Sequence, residues 1–172
     1  MADDRARWPT TVGTIGIVLG VILLLDTVDE LVTLRWTAAE WRALFGPYVA
    51  SWIDRTMPPV AWRLASAGVQ IGLGILLIMG SVGLRRRSRT GVSLCRLWAW
   101  LAIGWVIVSM AWGVVWLVRH GGELPPLATS GWVGYMVFGL ALALVLLLVF
   151  PAFLLVWLSL PEARKEHETW NA

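Results

Sequence analysis

Cysteine occurs once, at Cys95, and lysine once, at Lys165. A single thiol excludes an internal disulfide, a CxxC relay and a zinc site built on cysteines. Histidine occurs twice, at His120 and His167, and neither sits within an apolar run, which argues against a buried bis-histidine haem. Charge is scarce too, at 15% of residues against about 25% in soluble domains. G-x-S-x-G, H-E-x-x-H and P-loop patterns are all missing, as is a paired-Asp motif of the kind lipid head-group transferases use. No catalytic residue, cofactor or metal ligand can therefore be named, and the expectation is a non-enzymatic protein.

What remains is apolar. The 172 residues are 58% hydrophobic, with a mean hydropathy of +0.73. A water-soluble fold of this length could not hide that much apolar surface, whereas lipid as solvent removes the difficulty. Crossing the hydrocarbon core takes about 20 apolar residues in a helix. Four segments qualify, over about 8–28, 60–84, 97–118 and 131–160. Leu140–Phe150 lacks the alternation of a barrel strand. The N-terminal run leads into Asp26-Thr27-Val28-Asp29-Glu30 rather than a small-residue cleavage site, so it is read as a retained span. The expected fold is all-α, a single membrane domain of four transmembrane helices. A short amphipathic cap over 29–59, a loop over 85–96 and a tail over 161–172 complete it.

Arginine sets the orientation. Arg85, Arg86, Arg87 and Arg89 crowd the loop between spans two and three, with Arg5, Arg7, Arg164 and Lys165 on the same side. The positive-inside rule places that side, with both termini, in the cytoplasm. This placement at the ends of apolar runs argues for topology rather than nucleic acid. The same four arginines are candidate contacts for anionic lipid head groups. Cys95, beside Arg96, is read as an inert thiol, with palmitoylation as the alternative.

In the first outer loop, Thr37-Ala38-Ala39-Glu40 has the form of a capping box. Trp41, Leu44, Phe45, Tyr48 and Trp52 then recur on one helical face, interrupted by Gly46-Pro47. The expectation is a lid on the bundle, with Trp41, Phe45, Tyr48 and Trp52 as a possible docking face for a partner.

Few polar residues enter the spans. Asp26, Asp29 and Glu30 would share a face if span one continued as a helix, a possible cation or proton site; solvated carboxylates at a helix end are the simpler reading. Gln70, Thr14 and Ser109 are read as helix-to-helix hydrogen-bonding groups. Gly13, Gly16 and Gly20 form one small-residue stripe, and Ala61, Ala65, Gly68 and Gly72 a second. Both suit close helix packing, within the bundle or against another subunit. Trp98, Trp105, Trp112 and Trp116 fall within about 40° on span three, a possible aromatic contact face for a lipid, quinone, pigment or helix.

The stretches Gly80-Ser81-Val82-Gly83-Leu84-Arg85-Arg86-Arg87, Arg96-Leu97-Trp98-Ala99 and Phe150-Pro151-Ala152-Phe153-Leu154-Leu155 resemble those of small four-span membrane proteins of bacteria. That resemblance implies an inner-membrane setting and imports no catalytic residue. Claudin-type tetraspans are similar in span count alone, since their paired cysteines have no counterpart here. The expected role is a structural or accessory subunit that packs against itself or a larger membrane complex. A small transporter or channel, and a lipid- or quinone-handling protein, are the alternatives.

Overall fold

The computed structural model describes residues 8–36, 39–40, 43, 58–120 and 148–170, and among these the regular structure is entirely helical. Five helices are distinguished: α1 Trp8–Thr33, α2 Val60–Arg85, α3 Arg89–His120, α4 Leu148–Ser159 and α5 Pro161–Glu168. The first three are long and apolar enough to cross a membrane, and α4 is a shorter apolar helix. At about 1.5 Å per residue, the 26 residues of α1 and of α2 extend roughly 39 Å, beyond a hydrocarbon core of about 30 Å. The fourth expected span is described only from Leu148, so any bend that Pro151 makes against the preceding turn lies outside the described residues. So do the aromatic side chains of the expected cap, Trp41, Phe45, Tyr48 and Trp52.

Two boundaries differ from the sequence reading. The first span was expected to end near residue 28, but α1 runs on to Thr33. Its last turns satisfy their own polar groups: Thr27 and Thr33 hydroxyls donate to the Leu23 and Glu30 carbonyls at 2.7 and 2.9 Å. The second difference is larger. Residues 85–96 are mostly helix rather than loop, because α3 begins at Arg89.

A Schellman turn makes that possible. The Ser88 N–H donates to the Gly83 carbonyl at 2.9 Å and the Arg87 N–H to the Leu84 carbonyl at 3.0 Å, which is the paired pattern of that motif. Arg87 takes the left-handed conformation, φ 54°, where glycine is usual. The chain thus reverses over Arg86–Ser88, and α2 and α3 return side by side as a hairpin.

Glycine decides how close the helices come. A Cβ added at Gly91 would lie 2.5 Å from the Leu84 nitrogen, and one at Gly83 would lie 2.5 Å from the Gly91 Cα. Backbone therefore meets backbone next to the turn. The Gly13, Gly16 and Gly20 stripe of α1 packs on α2, against Arg85, Ser81, Leu77, Ile78 and Gly74. A Cβ on Gly13 would meet the Ser81 carbonyl at 2.7 Å. The Gly68 and Gly72 stripe has a different fate, with nothing within 4 Å of either added Cβ among the described residues.

Lipid tails are as apolar as leucine, so packing rather than water exclusion holds these helices together. Leu77, Leu84, Leu154 and Leu158 are fully buried where α2 and α4 contribute to a common core with Val92, Cys95, Trp98 and Ala99 of α3. Cys95 is a buried free thiol. By contrast Ile15, Val18, Ile22, Ile107 and Val114 are more than 40% exposed, as side chains facing lipid would be.

The segment after Pro161 is a docked helix rather than a simple tail. Pro161 occupies the first turn of α5, where its missing N–H costs nothing. Ala163, His167 and Trp170 recur at helical spacing and are all buried, which turns one face of the segment onto the bundle.

Candidate functional site

A polar seam crosses the α1–α2 interface at the end away from the Arg86–Ser88 turn. Arg63 is only 8% exposed, and its Nη2 donates to the Thr33 hydroxyl at 3.0 Å and the Glu30 carbonyl at 3.4 Å. The Ser66 hydroxyl lies 3.2 Å from Glu30 Oε1 and 2.9 Å from the Arg63 carbonyl. Deeper in, the Thr27 hydroxyl lies 3.1 Å from Gln70 Oε1. Thr27 has a single proton, so donation to Leu23 leaves it to accept from the Gln70 amide once that amide is turned over. Each such bond between membrane helices is worth about 0.6 kcal/mol.

The seam divides the three carboxylates that the sequence places together. Glu30 turns towards α2, while Asp26 and Asp29 stay exposed. Among the described residues no cluster of His, Cys, Asp or Glu is arranged to hold a metal ion. Gln70 is bound to α1, and Ser109 is half-buried on α3.

The tryptophan stripe of α3 is also divided. Trp62 of α2 stacks on Trp112 at 4.4 Å between ring centroids and on Trp105 at 5.9 Å, and Trp112 continues to Trp116 at 6.4 Å. Trp98 is buried elsewhere, edge-on to Phe150 at 5.9 Å. The four residues do share an angular sector of α3, but α2 covers one end of it and α4 the other. The indole nitrogens of Trp98 and Trp112 have no hydrogen-bond partner among the described residues.

A second aromatic chain ties the tail to the bundle. From Phe150 it passes through Phe153, Trp157 and Trp8 to Trp170 and His167, with centroid separations between 5.5 and 6.5 Å. The Trp8 indole donates to Glu166 Oε2 at 2.5 Å. Trp62, Trp8 and Trp170 are absent from the sequence-level candidates. Their signal was the Ala163, His167, Trp170 spacing for the tail, and for Trp62 the position of the turn, since it stands as far before Arg87 as Trp112 stands after it.

The arginines at the turn fall into two groups. Arg85, Arg86 and Arg87 are exposed. Arg89 and Arg96 reach instead to the ends of the two short helices, donating to the Glu168 and Leu158 carbonyls respectively. Cations there complement the partial negative charge of a helix C-terminus. Between them opens a recess of about 220 Å³ lined by Arg89, Val92, Ser93, Arg96, His167 and Glu168. His167 is 8% exposed, and its Nε2 has no partner among the described residues. Burial lowers its pKa from the ordinary 6.5; a backbone bond to Leu158 opposes this and the Arg96 charge adds to it, while Glu168 and Glu166 raise it.

A scan against protein-family models found no match, and neither did searches of the curated proteins and of the solved structures.

Proposed function

We propose that this chain is a non-enzymatic, multipass membrane protein, a structural or accessory subunit that packs against itself or a larger membrane complex. The observation that carries the reading is the stripe Ala61, Ala65, Gly68 and Gly72 on α2. All four residues are exposed, and among the described residues nothing stands within 4 Å of where a side chain on either glycine would be. A stripe of small residues lets another helix approach backbone to backbone. The stacked Trp62, Trp105 and Trp112 give that neighbourhood a rigid aromatic flank, and aromatic residues are enriched where proteins meet.

The polar groups of the spans also favour this role over a transport path. Gln70, Thr27, Glu30 and Ser66 are engaged between α1 and α2, whereas a conducting pathway needs such groups turned to a water-filled cavity. In the proposed setting, a bacterial inner membrane and a four-span topology, the Arg86–Ser88 turn and α5 lie in the cytoplasm by the arginine bias.

Association tests the reading. Gly68→Leu and Gly72→Leu should not lower thermal stability and should abolish the oligomer or the co-purifying partner seen by native mass spectrometry from mild detergent. A wild-type chain that is monomeric and alone removes the proposal. So does a loss of monomer stability in the leucine variants, which would put the rest of this chain on the stripe.

A further inference from the structure

We propose that the recess between the first turns of α3 and the end of α5 receives a phosphate group, held by Arg89, Ser93, Arg96 and His167. The group is either the head of an anionic lipid or a free phosphate. This goes beyond the reading above and does not depend on it, because the recess belongs to the turn end and the small-residue stripe to the other face and end of α2.

The residues line up for it. Arg89, Ser93 and Arg96 recur at i, i+4 and i+7, so one face of α3 presents all three to the recess. That face starts at the N-terminus of α3, where the helix dipole favours an anion. Both guanidiniums are already held in place by carbonyls of α4 and α5. Each bond uses one of five N–H donors, and the planar fork suits phosphate oxygens. The volume, about 220 Å³, equals that of several waters at about 30 Å³ each.

His167 points to a ligand independently of the arginines. It is more than nine-tenths buried and belongs to the recess lining, and its Nε2 has no hydrogen-bond partner among the described residues. A buried polar atom without a partner costs free energy, which a ligand oxygen would return. With Nδ1 serving Leu158, Nε2 can donate only when the ring is protonated. Binding therefore takes up a proton. Arg89 and Arg96 from α3 resist that charge, and Glu166 and Glu168 from α5 favour it. Among the described residues Glu168 is the one carboxylate on the lining. Its Oε1 lies 3.6 Å from Arg164 Nε, at the exposed rim. His167 is neutral in the empty protein at neutral pH and a bound anion raises its pKa, so the contribution of His167 to affinity grows as pH falls.

The test uses the full chain in phosphatidylcholine nanodiscs titrated with inorganic phosphate, and in discs containing phosphatidylglycerol followed by native mass spectrometry. Phosphate binding in the first disc identifies a soluble ligand; phosphatidylglycerol retained against added phosphate identifies a lipid. Either supports the proposal if Arg89→Gln weakens it about tenfold, the loss expected of one charge-assisted bond. Arg89 is exposed, and helicity and melting of that variant check its fold. His167→Gln should keep partial binding and lose the gain in affinity between about pH 8 and about pH 6. Wild-type affinity in Arg89→Gln in both discs, or the same pH dependence of binding in His167→Gln as in the wild type, overturns it.

Discussion

The two sides of α2 carry the same kinds of residue in opposite surroundings. On one side Gly74, Gly80, Ser81 and Gly83 are pressed against α1 and α3, where added methyl groups would collide with backbone or packed side chains. On the other, added methyl groups at Gly68 and Gly72 would meet nothing among the described residues, and Ala61 and Ala65 are exposed. Small residues in a membrane helix thus record a permitted approach, not the approach itself. Which stripe is occupied depends on where the chain turns.

The contrast breaks first at the hairpin. Gly91→Val should cost more than about 3 kcal/mol, the upper range of overpacking, because its Cβ would press on the Leu84 backbone; unfolding in mixed micelles would measure it. A near-neutral result would mean that α2 and α3 do not touch there. Gly13→Ala should lose about 1–3 kcal/mol in the same assay, through the Ser81 carbonyl. At the turn, Arg87→Gly should exceed Arg87→Val in stability by about 1–2 kcal/mol, since only glycine adopts the left-handed conformation without strain. On the open side, Gly72→Ala should gain up to about 1 kcal/mol from helix propensity while weakening any association.

The docked tail adds a titratable contrast. His167 has its pKa lowered in the folded chain, so the unfolded chain binds its proton first. Stability should hold above the ordinary histidine value, near 6.5, and fall as pH drops below it. His167→Gln should flatten that dependence in a thermal melt.

Composition and run length were enough to reveal an all-helical protein with membrane-length segments, because apolar excess over 20 residues has few other solutions. They did not reveal how α3 starts. Arg85–Arg89 reads as a charged loop, yet a backbone motif closes it within three residues, and nothing in an arginine's chemistry announces a left-handed φ. That hidden turn also concealed the register. Gly83 and Gly91 stand four residues on either side of Arg87, and Trp62 and Trp112 twenty-five, so the indole stack follows once the turn is known. The carboxylates Asp26, Asp29 and Glu30 were legible as one helix face, but not that Glu30 alone would turn to Ser66. The tail was read by its charge, and its buried face of Ala163, His167 and Trp170 was missed for that reason.

The three-residue reversal at Arg86–Ser88 has a consequence for how the protein is made. With so short a tether, α3 starts its search already beside α2, and closing a small loop costs little entropy. The pair can enter the bilayer as one unit, and α1 and the later segments then assemble onto a finished two-helix wedge.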